Sequence, residues 1–542
     1  MIVRGYRVLI NNHLCQSYKV PTSVRFSTRS PNMYERTFQD ALYALNHSLQ
    51  SNAATVAAAR SSGPKAELAI QETLRDLHRI GYKPEDLNKL NVIHVTGTKG
   101  KGSTCAFCYS LLRKAAPHLK IGLYTSPHLV SVRERIQIDG KPISEEDFTR
   151  FFFEVWDRLE ATKDQGNPDQ PMPMYFKMLT LIAYHAYLSL GVDATILEVG
   201  IGGRYDTTNV VPKPIVTGIT SLGLDHTSVL GKTLPEIAWQ KAGIYKTGVA
   251  AYTVTQPSEP LEVIKQEAEK VQASEFHVVD TLPNISEIKL GLAGVHQRQN
   301  ASLAVHLAHR FLQLQFPTLK LPSSLSQIPE VYATGLSEAR WAGRCQRITD
   351  PSSSGLQWLL DGAHTIESLI SCAEWYFSPD LAFRGTNLKR VLIFNCSGGR
   401  AGRLFLDTLL QKAASRAVLL DHNTPHPGLL FERVIFCTNV TTVADLDRNI
   451  KKSERDDALA LTTQREFSDA WLELVPEYPK DNVHVLETIQ DAVNLVHTSH
   501  SVGDATDVLV IGSLHLVGGL IEWLSLKIES FCNLTSCVEV LY

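Results

Sequence analysis

From residue 91 onward the chain alternates two patterns. Short runs rich in β-branched residues, "NVIHV", "KIGLYT", "ATILEVG" and "IVTGIT", are each followed by Gly, Ser or Thr, and amphipathic stretches separate them. Apolar runs bounded by turn residues read as buried strands, and strands alternating with helical stretches read as βαβ units. A mainly parallel sheet flanked by helices is therefore predicted, with its ligands at the carboxyl ends of the strands. Ahead of it, "TFQDALYALNHSL" and "AELAIQETLRDLHRIG" carry apolar residues near i, i+3, i+4 and i+7, the period of helices. A second α/β series, "LQWLLDGAH", "RVLIFNCSG", "RVIFCTN" and "DVLVIGSLH", begins after the Pro- and Ser-rich "FPTLKLPSSLSQIPE" and the stretch "GLSEARWAGRCQR". A domain boundary is expected at about 340–345.

Length agrees with this division, because 542 residues exceed what one core organises. The expected units are 35–340 and 345–542, preceded by 1–34. That first segment carries Arg4, Arg7, Lys19, Arg25 and Arg29, many Ser and Thr, and no acidic residue before Glu35. It lacks a long apolar stretch, so it reads as a mitochondrial transit peptide and not as a secretory signal. Initiation at Met1 would give a mitochondrial form and initiation at Met33 a cytoplasmic one. The charged "LDRNIKKSERDD" (446–457) reads as a solvated loop, and "LEATKDQGNPDQPMPM" (159–174) as a surface loop.

Composition narrows the function classes. A net charge of -3 gives no sign of a nucleic-acid partner. The most apolar stretch, "VLVIGSLHLVGGLIEWL" (508–524), contains Ser513, His515 and glycines, and reads as strand, turn and helix, not as a membrane span. Nine cysteines are scattered without a framework, which suits a reducing compartment. Cys105 and Cys108 form a C-x-x-C with no second pair, and read as packed thiols on one helix face.

The chemistry concentrates in "NVIHVTGTKGKGST" (91–104). A strand, a glycine loop and a helix point backbone N–H groups and the helix dipole at one spot, which suits a polyphosphate. The spacing is not the G-x-x-x-x-G-K-[ST] of a standard P-loop, since Gly97 precedes Gly100 by three residues and Gly102 separates Lys101 from Ser103. Lys101 would supply charge to the phosphates, and Ser103 or Thr104 a hydroxyl. Ser126 follows one strand, Glu198 ends another and is followed by Arg204, Asp206 and Asn209, and Asp225 and His226 follow a third. A hydroxyl, a carboxylate and an imidazole at adjacent strand ends can share one Mg²⁺, with water and phosphate oxygens completing the shell.

The motifs "GTKGKGST", "TSPHLVSVRERI", "LEVGIGGRYDTTN", "GLDHTSVLG", "WQKAGI", "HQRQNASLA", "DGAHT" and "GSLHLVGG" occur in the order seen in the folylpolyglutamate synthase family. The resemblance spans roughly residues 35–520. It implies an α/β fold with an N-terminal P-loop ATPase domain, of the kind shared with the Mur ligases, and a smaller C-terminal Rossmann-like domain. By the same resemblance Gly97, Thr98, Lys99, Gly100, Lys101, Gly102, Ser103 and Thr104 would hold the ATP phosphates. Ser126, Glu198 and His226 would bind Mg²⁺, and Lys241 matches a lysine that is carbamylated in this group. Asn300, Arg344 and Asp361 match nucleotide contacts, and His364 would lie near the incoming amino acid. Lys101, His226, Lys241, Asp361 and His364 are the set expected in catalysis, with a monovalent cation (K⁺) as a further cofactor. The implied partners are ATP, L-glutamate and tetrahydrofolates with their polyglutamates, acting on a monomer.

Two substrates remain open within the family: tetrahydrofolate, and the dihydropteroate of dihydrofolate synthase. "SVRERI" and "YFKMLTLIAYHAY" resemble the eukaryotic folylpolyglutamate form, and Lys177 would suit the extra carboxylates of a folate. A P-loop kinase or switch would share the first loop but not "DGAHT". A folate-binding module without catalysis would need neither the phosphate lysine nor the metal set.

Overall fold

The computed structural model describes residues 36–49, 64–168, 170–319, 321–322, 325–382, 388–396, 399–419, 426–442, 461–501 and 503–531. The transit-type segment with Met33 and the charged segment 446–457 lie outside the described residues.

Eight strands form the first sheet: β1 (Val92–Thr96), β2 (Ile121–Tyr124), β3 (Ile136–Ile138), β4 (Lys141–Pro142), β5 (Ala194–Glu198), β6 (Val216–Ile219), β7 (Ala250–Val254) and β8 (Glu275–Val279). Their order is β4-β3-β2-β5-β1-β6-β7-β8. Pairing is parallel from β2 through β5, β1, β6 and β7 to β8, whereas at the edge β3 pairs antiparallel with β2 and β4 antiparallel with β3. β1 lies inside the sheet, with Ile93 opposite Ile196 on one side and Val216 on the other. All five of its residues are buried, which is why "VIHVT" shows no in–out alternation. Helices Lys101–Ala115 and Gln297–Gln315 cover one face with Phe107, Leu111, Ala304 and Leu307. Helices Glu145–Ala161 and Tyr175–Leu190 cover the other with Phe148, Phe152, Tyr184 and Tyr187.

The second sheet contains β9 (Gln346–Asp350), β10 (Ser353–Asp361), β11 (Leu388–Phe394), β12 (Arg433–Cys437), β13 (Val483–Leu486) and β14 (Ala505–Ile511), in the order β13-β12-β11-β14-β10-β9. It too is parallel, apart from β9, which pairs antiparallel with β10. "VLVIGSLHLVGGLIEWL" is the end of β14, a turn and the helix Leu514–Phe531. Among the described residues no helix is long and apolar enough to cross a membrane. Cys105 and Cys108 are free, buried thiols, and Cys108 Sγ faces Ala304 O at 3.8 Å.

Two features near the first sheet were not foreseen. "TFQDALYALNHSL" forms a short helix, Phe38–Tyr43, that widens into a π turn at Ala44–Ser48. Lys177, expected to face the folate carboxylates, is instead buried against Glu72 at 3.1 Å and Asp76 at 3.7 Å. Its charge is compensated inside the protein, so the charge-based argument for a folate at Lys177 does not carry over.

His94, in the middle of β1, makes folding sensitive to acid. Its Nε2 lies 3.0 Å from Thr208 Oγ1, and that hydroxyl donates to Asp206 Oδ1 at 2.6 Å. The hydroxyl proton is thus committed, so Nε2 must carry the hydrogen and donate. Nδ1 is then a bare acceptor, and it is buried without a partner. A second proton there would be an unpartnered buried charge, and burial, with Lys246 adding to it, lowers the pKa from 6.5 to about 3. The unfolded chain binds this proton first, so the stabilisation is complete above pH 6.5 and is lost as pH falls towards 3. The loss amounts to roughly 5 kcal/mol at the acid end. His94→Gln, which keeps a donor near Nε2, should show a shallower fall in unfolding free energy between pH 6.5 and 4; equal slopes would remove His94 from the account.

Candidate active site

Four loops meet where β1, β2, β5 and β6 end. The β1 loop is tied to the β6 loop: the Thr98 and Lys99 N–H groups donate to Ser221 O at 2.9 and 3.2 Å, and Thr220 Oγ1 donates to Lys99 O at 2.6 Å. Thr96 Oγ1 donates to Gly202 O at 2.6 Å and so ties in the loop after β5. Glycine is needed where these loops crowd. A Cβ on Gly97 would lie 1.7 Å from Thr220 Oγ1. Gly100 caps the helix Lys101–Ala115 with φ +88°, and a Cβ there would lie 2.1 Å from Asn300 Oδ1.

Two lysines grip one carbonyl beneath this loop. Lys101 Nζ donates to Gly97 O at 3.0 Å, and Lys241 Nζ donates to the same oxygen at 2.7 Å. Burial lowers the pKa of both; Glu198 partly opposes this at Lys101, whereas Lys101 itself pushes Lys241 down further, to well below the usual lysine range. For Glu198 the balance runs the other way: burial raises its pKa, and Lys101 and the Ser126 N–H lower it. A helix N-terminus and two desolvated amines concentrate positive potential where a polyphosphate would sit.

The other expected residues fall around this centre. Ser126 donates its N–H to Glu198 Oε2 at 3.1 Å, so these two candidate metal ligands are adjacent. The ring of His226 is half-exposed and lies 3.9 Å from Asp225. Asp225 also pairs with Lys99 at 3.0 Å, a contact that sequence reading missed. Ser103 accepts from Gln297 Nε2 at 3.2 Å, and Asn300 Nδ2 donates to Gln297 Oε1 at 2.9 Å. Gln297 therefore belongs to the site through its packing, and its place in "HQRQNA" was the available signal. Trp341 lies over the helix start, 3.0 Å from where a Cβ on Gly102 would be.

The second sheet brings Arg344, Asp361 and His364 to the same cleft. Arg344 is close enough to Glu198 to favour its charged form. Asp361 points inward: its Oδ2 accepts from the Cys345 N–H at 2.7 Å and its Oδ1 from the Ala363 N–H at 2.9 Å. His364 Nδ1 lies 2.8 Å from Gly362 O, and burial, with Lys99 and Arg344, holds its pKa below the usual histidine range although that carbonyl acts in the opposite sense.

The donor set suits a hard cation. Glu198 offers a carboxylate, Ser126 a hydroxyl, and Thr104 a buried hydroxyl that makes no hydrogen bond. Among the described residues no three His, Cys, Asp or Glu side chains cluster, so a metal here would depend on hydroxyl, water and phosphate oxygens, as Mg²⁺ commonly does.

Two mainly parallel α/β lobes, with a glycine loop over paired lysines in the first and the linker arginine Arg344 near Glu198, define a two-lobed α/β protein with its candidate site at the ends of the first sheet's strands. No protein-family model matches the sequence. The chain is 42% identical over 512 residues to folylpolyglutamate synthase of Candida albicans, covering 90% of this chain and 96% of the relative. It is 42% identical over 511 residues to that of Neurospora crassa, covering 91% and 92%. Among solved structures, Mycobacterium tuberculosis folylpolyglutamate synthase complexed with ADP superposes with a TM-score of 0.63 at 22% identity, over 90% of this chain and 99% of that one. The Thermotoga maritima enzyme gives 0.61 at 24% identity, over 90% and 97%. The chain belongs to the folylpolyglutamate synthase family.

Proposed function

We propose that this protein joins L-glutamate to the γ-carboxyl of tetrahydrofolate in a reaction driven by ATP. The observation that carries this reading is identity of 42% over 90% of the chain, spanning both lobes, with a folylpolyglutamate synthase. A carboxylate is a poor electrophile, so a γ-carboxylate oxygen first attacks the γ-phosphorus of ATP, giving an acyl phosphate and ADP. The glutamate α-amine then attacks the acyl carbon, the C–O bond to phosphate breaks, and inorganic phosphate leaves with the amide formed.

In this scheme residues 97–104 cradle the phosphates through backbone N–H groups, and Lys101 draws charge off the transferring group. Arg344 approaches from the second lobe and acts on the same charge, so the site is complete only when the lobes meet. Such transfers depend on positioning and electrostatic stabilisation more than on covalent chemistry. Ser126, Glu198 and His226 would hold Mg²⁺, which would neutralise phosphate charge. Lys241, whose pKa burial and the neighbouring Lys101 hold well below the usual lysine range, would give up its proton more readily than a surface lysine, as carbamylation requires. His364 faces the incoming amino acid, and closure excludes the water that would hydrolyse the acyl phosphate.

The test supplies ATP, Mg²⁺ and labelled glutamate with either tetrahydrofolate or dihydropteroate. Label should enter a folate product with tetrahydrofolate. Incorporation only with dihydropteroate would make the protein a dihydrofolate synthase.

A further inference from the structure

Directly after its lysine, a standard P-loop carries a Ser or Thr whose hydroxyl reaches the metal. Here Gly102 follows Lys101 and holds that place. The space a side chain would need is taken by another segment: a Cβ on Gly102 would lie 3.0 Å from Trp341 Nε1, with the next two ring carbons at 3.3 and 3.4 Å. The indole therefore turns its N–H edge to the first turn of the helix Lys101–Ala115. The segment before Trp341 holds it there. The helix Glu330–Glu338 lies against the helix Lys101–Ala115, where Ser110 Oγ donates to Gly335 O at 2.6 Å and Lys114 pairs with Glu338 at 2.5 Å. A Cβ on Gly335 would come within 3.2 Å of Leu111 Cα, and the Trp341 ring packs on the core of the first lobe. Beyond Trp341 the chain turns through Gly343 at φ +70° and Cys345 at φ +45°, with Arg344 between them. The ring is thus packed, but its N–H is unused. Among the described residues Nε1 has no hydrogen-bond partner, and it keeps contact with solvent. Tryptophan N–H groups in packed surroundings usually find an acceptor. An indole is a donor only, so it cannot ligate a cation and has to face an acceptor.

We propose that Trp341 contacts the nucleotide, its Nε1–H donating to a phosphate oxygen of ATP at the place where a standard P-loop puts its metal-binding hydroxyl. The proposal rests on the function proposed above, which puts ATP on this loop. By this exchange the loop gives up one oxygen for the cation and gains one donor for the anion. The cation then draws its oxygens from the strand ends, at Ser126 and Glu198, and the phosphates are gripped by a residue of the linker between the lobes.

The test measures binding of ATP and of inorganic tripolyphosphate to the full chain by calorimetry, together with ligase turnover. Trp341→Phe keeps an aromatic ring and removes the N–H. It should weaken both ligands about tenfold, as expected for one hydrogen bond to a charged acceptor, and lower kcat/KM for ATP to the same extent. KM for glutamate and for folate should stay unchanged. Replacing Trp341 by β-(3-benzothienyl)alanine, which has sulfur where the indole has N–H, should reproduce these losses with the shape of the ring preserved. Weaker ATP binding with tripolyphosphate binding intact would mean that Trp341 meets the base or the ribose, and would overturn the proposal. Wild-type affinity for both ligands in the benzothienyl variant would make the indole a packing group only, and would also overturn it. If Trp341→Phe fails to fold, the benzothienyl variant decides alone. A wild-type protein that binds ATP but incorporates no glutamate would count against the function and leave the phosphate contact standing.

Discussion

Replacing Lys101 with alanine eliminates glutamate ligation and leaves both sheets folded. The ammonium sits under the glycine loop, donating to Gly97 O at 3.0 Å, and burial lowers its affinity for protons. A desolvated cation aimed at a developing negative charge is worth most in the transition state, and its removal should cost a thousandfold or more in turnover. Stability should move little, because Lys241 keeps its own bond to the Gly97 carbonyl and one of two crowded like charges is gone. Labelled-glutamate incorporation and thermal melting check the two halves. Normal turnover would remove Lys101 from the phosphate site.

Gly97→Ala should be nearly as damaging to activity and should also cost stability. The new methyl would fall 1.7 Å from Thr220 Oγ1 and 3.1 Å from Thr220 Cα, so rotating one side chain does not relieve it. The residue also has φ +150°, outside the range side chains prefer. Overpacking and backbone strain together suggest about 2–4 kcal/mol of destabilisation. The carbonyl gripped by both lysines must move with the loop, and a shift of about 1 Å in a positioning group typically costs about a hundredfold in rate. Calorimetric ATP binding and chemical unfolding measure the two effects. Wild-type values in both would show that the loop tolerates a side chain here.

How far the sequence carried is clear from particular residues. β1, β2, β5 and β6, and β10, β11, β12 and β14, were visible because each is a short apolar run closed by turn residues. Lys101, Glu198 and Ser126 stood out as candidates because ligand-binding groups of a parallel sheet follow its strands, and the structure brings all three to that end of the sheet. The edge hairpin β3–β4 was not, since three and two residues are too few to set a period. Contacts between distant segments were hidden for a different reason. Lys177 pairs with Glu72 across 105 positions, and Lys99 with Asp225 across 126, and no local pattern encodes either. Asp361 shows the limit most sharply: its motif was legible, but the direction of its oxygens depended on the left-handed turn at Cys345.

The loop that carries Ser126 also touches the second lobe. Glu134 accepts from the N–H groups of Leu129, Val130 and Ser131, at 2.8, 3.0 and 2.6 Å, and this stiffens the segment. Leu129 O lies so near Gly518, in the helix Leu514–Phe531, that a Cβ there would come within 2.1 Å. The lobes therefore do not simply hang from the linker that holds Arg344; they also meet at a second, close-packed point, where only a glycine at 518 leaves room for the Leu129 carbonyl, so a side chain there would press on the Ser126 loop from the other lobe.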